Sequence, residues 1–187
     1  EHDMSGWVDE MLKLKLEGKI GGILHIFNDS LANAVINEKT EVLWGQEYYI
    51  EDILGLSFRI SAFSFFQTNS LGAEELYRMV LNFLGDAKDK IIFDLYCGTG
   101  TIGQIVAQRA KEVIGIEIVE EAVEAANQNA KLNGLENCRF IAGDVFKKID
   151  ELKQNPDIII LDPPRAGVSP KALKKILKYQ AQEIIYV

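Results

Sequence analysis

The stretch Asp94-Leu95-Tyr96-Cys97-Gly98-Thr99-Gly100-Thr101 follows the apolar run Ile91-Ile92-Phe93 and opens a segment with helical patterning. Strand, glycine-bent turn and helix start, in that order, predict a nucleotide-type pocket at the end of a parallel sheet. Gly98 and Gly100 let the backbone approach a ligand, and the free N–H groups of the first helical turn face it. Asp94 adds a carboxylate, an acceptor for a positively charged group. The turn therefore suits a ligand with an ammonium, a ribose and an adenine but no phosphate.

S-adenosylmethionine has that composition. The same letters, however, spell Gly98-x-Gly100-x-x-Gly103, the dinucleotide fingerprint, so the turn alone leaves a nicotinamide cofactor open. Val113-Ile114-Gly115-Ile116 reads as a second strand that ends at Glu117, where a carboxylate can hold ribose hydroxyls with either ligand. Asp94 favours the methyl donor, because a carboxylate repels a pyrophosphate and pairs with an ammonium.

The segment Ile158-Ile159-Ile160-Leu161-Asp162-Pro163-Pro164-Arg165-Ala166-Gly167 narrows the reading further. A continuous apolar run before a polar elbow predicts a central parallel strand ending at the edge where open α/β sheets bind ligands. The two prolines fix φ and stiffen the exit, so Asp162 is presented in one orientation. Pro-Pro can also do no more than turn the chain.

Around these segments the pattern alternates. A helix is expected from Ser70, with Glu74 and Glu75 in its first turn and an apolar stripe of Ala73, Leu76, Tyr77, Val80, Leu81 and Leu84. There follow strand 91–96, helix 101–110, strand 112–117, helix 119–133 closed by Asn133-Gly134, strand 138–142, a short helix near 145–152, strand 157–161, helix 170–179 and strand 183–187. This is the signature of a parallel, doubly wound α/β sheet. Upstream, Trp7, Val8, Met11 and Leu12 predict a helix within Ser5 to Leu16, and Ile23 to Phe27 a strand. Short β-like runs separated by Asn28-Asp29, Asn37-Glu38 and Gly55 continue to Ile60 and suggest an antiparallel sheet, with His25 a sheet residue. The expected division is an α+β subdomain over 1–62 and a cofactor-binding domain over 63–187. Phe63 to Asn69 joins them: its aromatic residues could stack a splayed base or seal the seam, while Gln67, an amide among rings, needs a partner.

The chain has 187 residues, 48% of them hydrophobic, enough for a substantial core. It shows no apolar run of membrane-spanning length and no signal peptide pattern, and two cysteines make no disulfide framework, zinc site or iron–sulfur site. A soluble cytoplasmic domain without metal is expected. A net charge of −8 sits awkwardly with nucleic acid. Yet Lys171, Lys174, Lys175 and Lys178 are spaced to share one helix face, either solvated or phosphate-binding, and Glu117, Glu120, Glu121 and Glu124 gather acid at another helix start.

Phe65-Phe66-Gln67-Thr68-Asn69, Asp94 to Gly100 and Asp162 to Gly167 come in the order and spacing of the RNA uracil-C5 methyltransferases, which make 5-methyluridine in tRNA and large-subunit rRNA. From about Gly21 to Val187 the chain resembles that family. The resemblance implies a Rossmann-like class I methyltransferase fold with S-adenosylmethionine as cofactor and RNA as substrate. Gln67, Tyr96, Thr101, Glu117 and Asp162 match the family's cofactor-contacting positions, and Asp144 an adenine-side position. Thr101 stands where an Asn is often found. With Asp94, Gly98 and Gly100 these form the expected cofactor set; Phe66, Gln67, Asp162 and Arg165 form the expected substrate side.

In the family a strand like Glu183–Val187 is followed by a Ser-Cys-Asn-Pro turn whose Cys is the nucleophile, and a Glu general base lies further on. Neither is in this sequence, nor are the β-barrel RNA-binding domain and cysteine-rich iron–sulfur segment of many members. The expectation is a C-terminally truncated fragment that binds cofactor, holds no catalytic residue of its own and transfers no methyl group. Cys97, inside the cofactor turn, and Cys138, at a strand start, are expected to be packing residues. Competing readings are a methyltransferase for exocyclic base nitrogens, against which Arg165 argues; a nicotinamide-dependent oxidoreductase; and a non-catalytic scaffold.

Overall fold

A computed structural model describes residues 3–28 and 39–187. The turns expected at Asp29 and at Asn37-Glu38 lie outside the described residues. Contacts divide the chain into two units, one of Glu1–Glu51 with Arg59–Phe63, the other of Asp52–Phe58 with Ser64–Val187.

In the first unit, helix α1 (Ser5–Leu12) buries Val8 and ends four residues short of the stretch expected for it. Leu14 and Leu16 continue the apolar spacing beyond Leu12, but both are exposed. Strands β1 (Gly22–Phe27) and β2 (Lys39–Gly45) pair antiparallel, with an irregularity between Ile23 and Leu24. His25 stacks on Phe27, ring centroids 4.2 Å apart, as a sheet residue. Strands β3 (Tyr48–Ile53) and β4 (Leu56–Ser61) form a separate two-stranded sheet.

The tip of that second pair, Asp52–Phe58, belongs to the larger unit although it lies on the far side of the boundary expected at residue 62. The cause is specific bonding: Leu54 N–H donates to Glu74 Oε1 at 3.2 Å, Ser57 bonds Asn133, and Phe58 is fully buried.

The larger unit opens with α2 (Ser70–Leu84), capped by Asn69, whose side chain accepts from Gly72 N–H. Glu74 and Glu75 fall in its second turn rather than the first. Ala73, Tyr77, Val80, Leu81 and Leu84 bury the expected stripe. There follow β5 (Ile91–Leu95), α3 (Thr101–Ala107), β6 (Glu112–Glu117), α4 (Glu120–Leu132), β7 (Cys138–Ala142), α5 (Val145–Lys148) with a 3-10 turn at Ile149–Glu151, β8 (Ile158–Leu161), α6 (Pro170–Lys178) and β9 (Glu183–Tyr186).

The five strands are all parallel, in the order β7-β6-β5-β8-β9. Connections run one way from β5 through β6 to β7, and the other way from β8 to β9. The order reverses between β5 and β8, the switch point where the loops diverge and leave a crevice. The strands alternate: Phe93, Leu95, Ile114, Ile116, Ile159 and Leu161 pack one face against Ile149 and Ile176, which sets Asp94 and Gly115 on the other.

On α6, Ala172 and Ile176 are buried. Of the four lysines expected on one solvent face, Lys175 leaves it. Its Nζ donates to the Phe146 carbonyl at 2.6 Å, lies 3.7 Å from the Phe146 ring centroid and pairs with Asp150. Among the described residues no helix is long and apolar enough to cross a membrane.

Candidate functional site

Asp94 sits one residue before the end of β5, in register with Gly115 on β6 and Ile160 on β8. It is 1% exposed, and neither carboxylate oxygen has a hydrogen-bond partner among the described residues. A buried carboxylate without a partner is costly, and structures keep one only where something else satisfies it. Burial first, then the negative charges of Asp162 and Glu117, push its pKa up to about 7 against one nearby influence in the other direction, the Gly103 N–H.

The turn that follows is held in a strained shape. Tyr96 adopts φ 66°, a conformation rare outside glycine, between Leu95 and the positive-φ glycines Gly98 and Gly100. Tyr96 and Cys97 N–H both donate to the Ile116 carbonyl, which ties the turn to β6. Glu117, at the end of β6, closes the other side: Oε2 accepts from Gly98 N–H at 3.1 Å, and Oε1 accepts from Ile118 and Val119 N–H.

The glycines divide by what surrounds them. A Cβ on Gly98 would meet nothing within 4 Å, so this is where the backbone is open to a ligand. Gly100, expected to serve the same purpose, is packed, as is Gly103 of the fingerprint: a Cβ on Gly100 would come within 2.5 Å of the Phe140 ring, and one on Gly103 within 2.7 Å of Asp94 Oδ2. Gly115 shares the task, with a Cβ there 2.2 Å from Phe140. Three glycines make room for one aromatic ring. Helix α3 has only seven residues, so the dipole expected at Thr101 is short, and recognition falls to the carboxylates.

Those carboxylates come from successive strand ends. Asp144 follows β7 and caps α5, accepting from Lys147 N–H. Its charge, after burial, raises the Tyr96 phenol, which places the two groups within electrostatic reach of each other. Asp162 follows β8, its N–H donating to the Leu95 carbonyl, and burial raises its carboxyl above the ordinary range. The elbow beyond it is a tight turn closed by Gly167 N–H on the Pro164 carbonyl, with Arg165 exposed at its tip.

Thr99, which the sequence pattern did not single out, donates from Oγ1 to the Phe65 carbonyl at 3.3 Å and lies 3.5 Å from Thr101 Oγ1. It pins the Phe65-Phe66-Gln67 segment to the glycine turn. Phe66 packs on Phe58 at 5.9 Å, Gln67 is half-buried, and Phe65 is 75% exposed. Tyr77 is the second such residue. By periodicity only a member of the α2 stripe, it has its phenol pushed up to about 12 by burial and then by Asp162 and Asp94, so it lies within reach of both charges.

Both thiols are held toward the protonated form. Burial is the main cause raising Cys97 well above the ordinary thiol range, with Asp94 and Glu117 adding to it, and Cys138 is raised by burial and Asp94. Among the described residues no group of three His, Cys, Asp or Glu is arranged to hold a metal ion.

Residues 86–187 match a family model described as a methyltransferase domain. An uncharacterized RNA methyltransferase of Clostridium tetani is 55% identical over 187 residues, all of this chain and 41% of the relative. One of Clostridium acetobutylicum is 56% identical over the same coverage. The chain thus spans about two fifths of the length of the curated relatives it matches. Among solved structures, Pyrococcus abyssi tRNA (uracil-54, C5)-methyltransferase in complex with S-adenosyl-L-homocysteine superposes with a TM-score of 0.76 at 29% identity, over 90% of this chain and 41% of that one. M. jannaschii TYW2 in complex with AdoMet shares the fold, with a TM-score of 0.58 at 21% identity over 75% of this chain and 62% of that one.

Proposed function

This chain belongs to the methyltransferase-domain family, and from that premise we propose that it is the S-adenosylmethionine-binding part of an RNA methyltransferase acting on C5 of a uridine. The observation that carries the reading is the buried, unpartnered carboxylate of Asp94 at the switch point, with Asp162 beside it. An acid held up by burial and by a second acid's charge wants a cation beside it, and a dinucleotide's pyrophosphate is the wrong charge.

S-adenosylmethionine, when bound, supplies an electrophilic methyl group on a sulfonium. Asp94 and Asp162 would hold its positive end. Glu117 keeps spare lone pairs for ribose hydroxyls, Gly98 leaves the approach open, and Tyr96 with Asp144 flanks the adenine side. Thr101 and Gly100 begin the helix under the turn, and Gln67 closes the pocket from the segment that Thr99 pins. Donor binding is assigned to residues 63–187, with 1–62 as part of an α+β subdomain.

On the substrate side, exposed Phe65 and half-buried Phe66 offer rings for a splayed base, Gln67 an amide for its edge, and Arg165 a cation beside the Asp162 elbow. Methylation at C5 requires a thiolate to add first to C6, because uracil C5 is a poor nucleophile. Neither half-buried Cys97, inside the cofactor turn, nor buried Cys138 is assigned as that thiolate, since desolvation favours the protonated form of both. The nucleophile is supplied from outside these residues, in a cytoplasmic protein whose substrate is tRNA or rRNA.

Calorimetry tests donor choice. The chain binds S-adenosylhomocysteine and not NAD; preference for the dinucleotide overturns the methyltransferase reading. Tritium transfer from labelled donor to uridine-containing RNA stays at background for these 187 residues alone. Transfer above background that survives replacement of both cysteines would overturn the thiolate route.

A further inference from the structure

Helix α6 treats its lysines unequally. Lys175 is drawn inward to Phe146 and Asp150, beside the buried Ala172 and Ile176. Lys171, Lys174 and Lys178 are spaced i, i+3 and i+7, within about 60° of one another around the helix and away from that buried side. All three are exposed, and among the described residues none is in an ion pair.

The setting gives this strip its meaning. The chain carries a net charge of −8, and the donor crevice gathers Asp94, Glu117, Asp144 and Asp162. Such a crevice suits a cationic donor and repels a polyanion. An RNA strand whose base must enter there needs a cationic rail beside the acid. α6 is capped by Ser169, only a few residues past the elbow that carries Asp162 and Arg165, so the strip starts near the crevice and leads away from it. Seven residues of helix span about 10 Å, the length of about three nucleotide steps of a stacked strand at roughly 3.4 Å each.

We propose that Lys171, Lys174 and Lys178, continued by Arg165, form a track for the phosphodiester backbone of single-stranded RNA. The inference rests on the RNA methyltransferase reading and adds to it the surface that holds the strand. Lysine ammonium groups are point charges without base-edge geometry, so the track fixes the register of the RNA and leaves choice of the base to the Phe65–Gln67 segment.

The test is fluorescence anisotropy of a short uridine-containing RNA oligonucleotide against salt, for the unsubstituted chain, for K171Q/K174Q/K178Q, and for K88Q/K131Q on other exposed surfaces. The triple variant weakens binding and lowers the slope of log affinity against log salt by about two units, at roughly 0.7 for each phosphate no longer neutralised. The control pair leaves the slope as it was. An unchanged slope in the triple variant, or an equal fall in the control, overturns the track. So does a triple variant that loses binding to anionic phospholipid vesicles while keeping its RNA slope, which would make the strip a membrane-binding surface. Affinity for S-adenosylhomocysteine, measured on the same samples, separates the two ideas: donor bound with an unchanged slope rejects the track alone, whereas no donor and no RNA bound rejects both.

Discussion

The side-chain amide of Asn133 grips the main chain of Ser57 from both sides. Its Oδ1 accepts from Ser57 N–H at 2.9 Å, and its Nδ2 donates to the Ser57 carbonyl at 3.0 Å. One side chain thus supplies a rung of β-ladder to the open edge of β4. The same Nδ2 reaches Gln104 Oε1 at 3.2 Å, and Gln104 Nε2 donates to the Ala126 carbonyl, so α3, α4 and the hairpin tip share one polar network.

Asn133→Ala removes three bonds at once, two to Ser57 and one to Gln104, and leaves Ser57 to water, at a cost of about 1–3 kcal/mol. Asn133→Asp keeps the acceptor but sets a carboxylate oxygen against the Ser57 carbonyl and Gln104 Oε1, and is at least as damaging. Chemical denaturation gives the loss, and hydrogen exchange at the Ser57 amide gives its place. Undiminished protection of that amide in Asn133→Ala contradicts the grip.

Asp94 makes the stability of the ligand-free chain depend on pH. Its folded pKa of about 7 lies above the ordinary 3.8, so between these values the unfolded chain has lost a proton that the fold retains. The fold binds more protons, and stability therefore falls as pH rises from about 4 to 7, then levels off, with an amplitude on the order of a few kcal/mol. Asp94→Asn removes that slope and stabilises the ligand-free chain at pH 8. In the wild type, affinity for S-adenosylhomocysteine strengthens as pH rises through 7, because the ionised carboxylate holds the ammonium. The Asn variant binds about tenfold or more weakly, the equivalent of at least 1.4 kcal/mol. Equal donor affinity in both proteins removes Asp94 from the pocket.

Gly115→Ala tests the packing of Phe140. The added methyl falls 2.2 Å from the ring and 2.9 Å from Cys97 Sγ, in the middle of a buried sheet. Overpacking of this kind costs about 1–3 kcal/mol. Phe140→Leu alone also destabilises, but the pair is less costly than the sum, since the smaller side chain vacates the space that the methyl needs. Simple additivity in a denaturation cycle would mean that Phe140 does not fill the glycine recess.

Much of this was legible from local pattern. The buried parallel strands announced themselves as unbroken apolar runs at Ile91–Phe93, Val113–Ile116 and Ile158–Leu161, and the elbow at Asp162 as a polar stop after one of them. Local pattern failed where a residue's role is decided far along the chain. Asn133 read as a helix terminus, and nothing near it signals that its partner is Ser57. Gly100 and Gly103 fit a ligand fingerprint, while the ring that claims their inner side comes from β7. Lys175 shared a spacing with three solvent-facing lysines until α5 and its 3-10 turn offered it a carbonyl, a ring and a carboxylate. Periodicity reports which face a residue occupies, not what waits opposite.

Thr99 joins the two segments on which the candidate site depends, and its hydroxyl can be removed without changing shape. Thr99→Val deletes the donor to the Phe65 carbonyl and leaves the buried volume almost intact. A net hydrogen bond is worth about 1 kcal/mol, so the loss in stability is small. The consequence appears at the site: released from the glycine turn, Phe65 to Gln67 sample more positions, and Gln67 meets the donor less often. Affinity for S-adenosylhomocysteine falls roughly fivefold, the equivalent of that same 1 kcal/mol, while Thr99→Ser, which keeps the hydroxyl, restores most of it. Calorimetry on the three proteins decides the matter. If the Val and Ser variants bind the donor alike, the segment contributes nothing to the pocket, and Thr99 serves only to pack the turn.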